Sequence, residues 1–338
     1  MRVTAWQVAR DADVSQSAVS RAFAGRSGVS EETRGRIFAA AERLGYRPNA
    51  LARGLSTQKS GIVGVVISQM SNPFLSDALE RLSHRLRAAG LKPFLITVDN
   101  EHEVGAALPA LAEYRVDGCF VISPHLPRNL ALKYGTSDAT VLLFNSTLPG
   151  LKASTVYTDN VSGGRTVADL LADEGHHRIG YLHGARGSAT DGDRFDGFSA
   201  RLAERGIDPP AVGWGDNSYT GAASALIDLM ARSPDLTAIF CANDVMAMGA
   251  MDAARYQLGL KIPGQLSIVG FDDAPPAAWP GYDLTTIHQP VEEMIELGAE
   301  IMLAEGRDPG RLPTSKVFKG KLIVRGSSLT ARQPATGS

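Results

Sequence analysis

Two cysteines in 338 residues are too few for a disulfide framework. Both Cys119 and Cys241 sit inside apolar stretches (DGCFVI and AIFCAND), the setting of buried reduced thiols rather than of a cross-link or a metal pair. No apolar run reaches the roughly 18 residues that a membrane helix needs, and the opening MRVTAWQVARDADVS is too polar for a signal peptide, so the expected compartment is the cytoplasm. Signatures of catalysis are scarce as well: there is no G-x-S-x-G, no Walker loop and no C-x-x-C. The pair His176-His177 lacks metal-ligand spacing and follows Gly175 at a helix end, which favours a turn or cap role. The run Gly213-Trp214-Gly215-Asp216-Asn217-Ser218 imitates a dinucleotide loop, but it ends in Ser and does not join a first strand to a helix. An enzyme should offer a nucleophile–base pair or a metal cluster, and neither is legible. The expectation is therefore no catalytic residue, no metal and no cofactor.

What is present is unevenly distributed. The net charge is −2, yet residues 1–60 hold ten Lys/Arg against five Asp/Glu, or +5, which leaves −7 on the other 278 residues. A basic head on an acidic body fits a nucleic-acid-contacting module attached to something that does not share that partner. The head has helix signals and no strand signals. Thr4-Ala5-Trp6-Gln7 forms a capping box for a helix ending near Ala12-Asp13. Ser15 caps a second helix to about Ala24, with Val14, Ala18, Val19 and Ala22 on its apolar face. Ser30 caps a third, with Glu31 and Glu32 in its first turn, Ile37, Ala40, Ala41 and Leu44 facing inward, and Gly45 as its stop.

Beyond residue 60 short β-branched apolar runs alternate with amphipathic stretches. One series comprises residues 61–68, 92–99, 117–123 and 140–144, and a second 177–183, 236–242 and 266–271. Such alternation predicts an α/β body of parallel sheets with helices on both faces. Two successive series predict two lobes, with ligands at the carboxyl ends of strands in the crevice between them. The tail 331–338 lacks apolar periodicity and leucine heptads, so it is expected to be disordered and not to form a tetramerising coiled coil.

Two short helices joined through residues 12–15 have the spacing of a helix-turn-helix, whose second helix enters the major groove. Its first turn exposes Gln16 and Ser17, with Arg21 one turn later; Gln can pair with adenine and Arg with guanine, while Ser15 and Ser20 can reach phosphates. Thr4 joins these residues as a DNA-contact candidate. The alternative is a three-helix protein-interaction module with a solvated polar face.

The segment VTAWQVARDADVSQSAVSRAFAGRSGVSEETRGRIFAAAERLGYRPNALARGLST resembles the N-terminal module of the LacI/GalR family of bacterial repressors. The V-S-x-x-x-V-S-R core (Val14, Ser15, Val19, Ser20, Arg21), the V-S-x-x-T-R run (Val29, Ser30, Thr33, Arg34) and G-Y-x-P-N-x-x-A (Gly45 to Ala52) stand in register. Asp13 departs from the glycine usual at the turn; Asp tolerates the left-handed conformation, at a small cost in stability. After Pro48, Asn49 can cap a short helix over residues 50–55 that is marginal alone. The resemblance implies a hinge helix that forms on the operator, with Asn49 and Ala52 at the DNA, Leu51 packing across the dyad and Leu55 wedging into the minor groove. A plain linker is the alternative.

The likeness extends along nearly the whole chain, through Asn72-Pro73-Phe74, Asp159-Asn160, Arg194 in R-x-x-G-F, Asn243-Asp244, G-F-D-D at 270–273 and Arg325-Gly326-Ser327. It implies an all-α head (1–47), a hinge (48–59) and a two-lobed periplasmic-binding-protein-like core (60–330). One lobe would take about 60–158 and 290–318, the other about 159–289 and 319–330. It also implies a homodimer on a pseudo-palindromic double-stranded operator, controlled by a small-molecule effector, in the first place a carbohydrate. For that effector Arg194 and Asp272 would supply the charged pair, Asn145 and Asn243 further hydrogen bonds, and Phe74 and Phe240 the walls of a ring site, with Trp279 a further aromatic candidate. The plainer reading has Asp272-Asp273 capping the following loop, Arg194 holding a structural salt bridge, and the aromatics in the core. Competing functions are an enzyme or transport-type binding protein on the same body, or a DNA-binding protein whose core answers to a protein partner.

Overall fold

A computed structural model describes residues 3–23, 27–46, 60–99, 101–123, 140–148, 151, 153–305 and 312–329. The head is a three-helix unit: α1 (Ala5–Asp11), α2 (Gln16–Phe23) and α3 (Glu31–Leu44). Both halves of the capping box form at Thr4, whose amide donates to Gln7 Oε1 at 2.8 Å. Ser30 accepts from the Thr33 amide, and Gly45, at φ +66°, ends α3 in the left-handed conformation. Val8, Val19, Ala22, Ile37 and Ala40 are buried where the helices meet. Phe23 packs edge-on against Phe38 and Tyr46, at centroid distances of 5.1 and 5.7 Å.

The body holds two parallel sheets. The first comprises β1 (Ile62–Ser68), β2 (Lys92–Val98), β3 (Gly118–Ile122), β4 (Thr140–Phe144), β5 (Ser154–Thr158) and, from far down the chain, β11 (Ser315–Phe318), in the order β11-β5-β4-β3-β1-β2. The helices α4 (Pro73–Ala88) and α5 (Glu101–Glu113) follow β1 and β2. Alternation along the strands feeds two cores. Val63, Val65, Ile67, Phe120 and Ile122 pack towards α4 and a late helix, α10 (Val291–Glu305), whereas Val66, Cys119 and Val121 pack towards α5.

The second sheet, in the order β7-β6-β8-β9, comprises β6 (Ile179–His183), β7 (Ala211–Trp214), β8 (Ala238–Cys241) and β9 (Ser267–Val269). Around it lie α6 (Asn160–Asp173), α7 (Ala189–Glu204), α8 (Tyr219–Arg232) and α9 (Asp244–Asp252). A small antiparallel pair, β10 (Thr286–His288) with β12 (Lys321–Ile323), completes this lobe. The chain passes between the lobes at β5–α6, at β10–α10 and at β11–β12. The Asp159 amide donates to the Phe318 carbonyl at 2.7 Å and so ties two of these passages together. The second and third passages follow no crossover helix, which is why a linear succession of βα units does not foretell them.

Candidate functional site

In the head, the turn before α2 depends on Asp13, which takes φ +51°. Ser15 Oγ accepts from the Ala18 amide at 3.2 Å and lies 2.9 Å from Ser17 Oγ, so its first task is to cap α2. Gln16, Ser17, Ser20 and Arg21 are exposed together on one face of α2, while Val19 and Ala22 anchor the opposite face. Thr4 is exposed at the start of α1 with its hydroxyl engaged by Gln7. Asn49, Leu51, Ala52 and Leu55 lie outside the described residues.

In the body, a cleft of about 480 Å³, its open mouth included, lies between the two sheets at the carboxyl ends of their strands. From the first lobe Gln69 and Asn72 enter after β1, Phe74 and Leu75 from the first turn of α4, Ser123 after β3 and Asn145 after β4. From the second lobe Ser188, Thr190, Asp191 and Arg194 come from the start of α7, Asn217 follows β7, and Asn243 caps α9. Asp272 follows β9. Gln69, Asn145, Asn217 and Asp272 all take positive φ (+53°, +51°, +53° and +134°), and such conformations persist where surrounding structure holds them.

Arg194 and Asp272 form the buried centre, at 5% and 4% exposure. Arg194 reaches it because α6 and α7 touch backbone to backbone. A Cβ on Gly164 would stand 2.1 Å from the Arg194 carbonyl, and one on Gly197 would stand 2.1 Å from that of Val161. The guanidinium then donates from Nε to Asn160 Oδ1 at 2.8 Å and from Nη1 to the Ala242 carbonyl at 2.5 Å. It lies over the Phe271 ring at 3.7 Å, and Nη2 is 3.8 Å from Asp272 Oδ1. Gln289 Nε2 donates to Asp272 Oδ1 at 2.6 Å. Burial pushes the Asp272 carboxyl up to about 8 against the pull of Arg194, and it pushes the neighbouring Asp244, held by Thr286 and the Ala274 amide, up to about 6.

The expected residues thus separate. Phe74, Asn145, Arg194, Asn243 and Asp272 converge on the cleft; Phe240 does not. Phe240 is wholly buried, edge-on to Tyr181 and Phe198 at 5.2 and 5.0 Å, because strand alternation turns it into the core; Ala242 and Asn243, past the strand end, reach the cleft instead. Trp279 is 57% exposed and stands apart from the cleft. Sequence reasoning passed over Gln69, Ser123, Ser188, Thr190, Asp191 and Asn217. The signal available for them was position: Gln69, Ser123 and Asn217 lie within three residues of a strand's carboxyl end, and Ser188, Thr190 and Asp191 at the start of the helix that follows β6. Asn217 sits in the run that had looked like a failed dinucleotide loop. His176 is a buried structural residue, its ring nitrogens 2.9 and 3.1 Å from the hydroxyls of Thr237 and Ser267. Both cysteines are buried free thiols. Among the described residues no helix is long and apolar enough to cross a membrane.

Residues 6–49 match the family described as "Bacterial regulatory proteins, lacI family", and residues 168–328 match the "Periplasmic binding protein-like domain". The HTH-type transcriptional regulator GalS of Salmonella typhimurium is 33% identical over 330 residues, 96% of each chain. The chain belongs to the LacI family of bacterial regulatory proteins. As a LacI-family member it is a transcriptional regulator rather than an enzyme. Its fold agrees with the crystal structure of the lac repressor dimer bound to operator and the anti-inducer ONPF, at a TM-score of 0.88 and 25% identity over 98% of this chain and all of that one. It is similar also to the transcriptional regulator CelR in its cellobiose complex, at a TM-score of 0.72 and 27% identity over 97% of this chain and all of that one.

Proposed function

We propose that this LacI-family chain is a cytoplasmic homodimeric repressor whose affinity for a pseudo-palindromic operator is set by a sugar or related metabolite bound between its lobes. The observation that carries this reading is the pairing of two features in one chain: the exposed Gln16/Ser17/Ser20/Arg21 face on a helix-turn-helix, and a polar cleft built from both lobes around Arg194 and Asp272. In the head, Gln16 and Arg21 address base edges, and Thr4, Ser15, Ser17 and Ser20 address phosphates or edges near them. In the hinge, 48–59, Asn49, Ala52 and Leu55 take the minor-groove role that the family resemblance assigns. On this reading the core divides near residues 158, 289 and 318, a division supported by the changes of sheet between β5 and β6, β10 and β11, and β11 and β12.

Support for the effector comes from chemistry and from kin. Planar amides and carboxylates beside the Phe74 wall suit hydroxyls set on an apolar ring face. The similar CelR was solved with cellobiose, and the lac repressor dimer with operator. The test is selection of operator DNA from a random pool by the full chain, followed by binding of Arg21→Ala to the selected site. Loss of one bidentate base contact is worth about 1–3 kcal/mol, so roughly 5- to 150-fold weaker binding is expected. Wild-type affinity in Arg21→Ala, or selection of no palindrome, overturns the reading.

A further inference from the structure

The charge and hydrogen-bonding sense of the cleft restrict its ligand more closely than "sugar or related metabolite". Three charged side chains are among its described lining residues: Asp191, Asp272 and Arg194. Their sum is −1 with Asp272 ionised and zero with it protonated; in neither state is it positive. The one cation among those described lining residues is also engaged. Arg194 Nε is taken by Asn160, Nη1 by the Ala242 carbonyl, and Nη2 faces Asp272. Neither edge of the guanidinium keeps both of its N–H donors for a bidentate grip on a phosphate or carboxylate.

Three helix amino-termini border the cleft, and such ends ordinarily attract anions. Here each is met by its own cap. Asn72 accepts from the Phe74 amide at 3.0 Å, Ser188 from the Asp191 amide at 3.4 Å, and Asn243 from the Met246 amide at 2.9 Å. The first turn of α7 also carries Asp191 as a built-in anion, buried with Tyr181 Oη at 2.8 Å and His183 Nδ1 at 3.0 Å.

What the cleft does offer is acceptors. Asn145 Oδ1 is buried with no hydrogen-bond partner, a costly arrangement that a donor from the ligand relieves. The Asp272 and Asp191 carboxylates accept as well. A sugar hydroxyl supplies a donor to each. An ionised phosphate is an acceptor only, and would have to shed its hydration to enter a cleft whose described lining residues sum to no positive charge.

We propose that the cleft selects uncharged, hydroxyl-rich ligands, namely unphosphorylated sugars or close analogues, and rejects their phosphate esters and acids. This rests on reading the cleft as the effector site, and the experiment distinguishes the two claims. The full chain is titrated calorimetrically with D-glucose, D-galactose, D-ribose and cellobiose, and in parallel with glucose 6-phosphate, galactose 6-phosphate and ribose 5-phosphate. The expected result is that at least one neutral sugar binds, and that its phosphate ester binds more than tenfold more weakly. Asp191→Asn keeps an acceptor oxygen while removing a charge, so it should narrow that gap at neutral pH; Asp272→Asn should narrow it above pH 8, where the parent carboxyl is ionised. A phosphate ester that binds as well as its parent sugar overturns the charge selectivity and leaves the effector site standing. A gap unchanged in both variants overturns its electrostatic origin. Binding of neither class overturns the effector reading itself.

Discussion

Asp13 is a single residue whose backbone carries a cost that the rest of the head absorbs. Its left-handed φ of +51° disfavours a side chain, and it supports the turn that presents Gln16 and Arg21. Asp13→Gly should therefore raise the stability of the head by about 0.5–1 kcal/mol and its melting temperature by a few degrees in calorimetry, with the turn unchanged. Glu174 makes a prediction of the opposite kind. Its carboxyl is buried, accepts among the described residues from Ser328 at 3.1 Å, and is pushed up to about 7 from 4.5 by desolvation. A carboxyl that holds its proton more tightly when folded contributes stability that is full below about pH 4.5 and lost as the pH rises through 7. Glu174→Gln keeps the acceptor for Ser328 and abolishes the ionisation. Its melting temperature relative to the parent should thus be higher at pH 8 than at pH 5, by the equivalent of about 1–2 kcal/mol. A gap that does not change with pH would show that Glu174 is not the ionisation responsible.

At the scale of elements, the caps, the apolar faces of α1–α3 and the strands with continuous apolar runs were legible in the sequence, because local chemistry decides them. Ser30 and Gly45 bound α3 as the caps predict. The strands β7 and β11 escaped because they are short and partly exposed; Val212 and Trp214 in one, and Ser315 to Val317 in the other, face solvent and leave no apolar run. The partnering of β11 with β5, some 160 residues earlier, is a tertiary fact with no local signature. Site residues followed the same rule. Arg194 and Asp272 were accessible through family motifs, whereas Phe240 misled because its strand places alternate side chains on opposite faces. Packing of α6 on α7 is the element-level device that positions Arg194, and it tolerates no side chain at Gly164. Gly164→Ala should cost about 1–3 kcal/mol in stability, because the new Cβ meets backbone rather than a side chain that can turn away. The same variant should weaken effector binding by displacing Arg194 relative to Asn160 and Ala242. Parental stability in calorimetry would refute the packing argument.

At the scale of the whole molecule, three chain passages join two lobes that share one cleft, and the head precedes the first lobe in sequence. In the proposed homodimer, closure of the lobes on a ligand that contacts both of them would change the relation between the two halves of each protomer, and with it the spacing of the two heads. Such coupling is reciprocal: effector and operator must change each other's affinity by the same factor. The basic head and acidic body separate the two partners electrostatically, so operator binding should weaken with salt far more steeply than effector binding does. The measurement that bears most directly on the account is titration of fluorescent operator DNA with the full chain, in the absence and presence of a saturating neutral sugar found to bind by calorimetry. Coupling of 1–3 kcal/mol predicts a change of roughly 5- to 150-fold in operator affinity, abolished in Arg194→Ala. Identical operator affinity with the cleft empty and filled would contradict it.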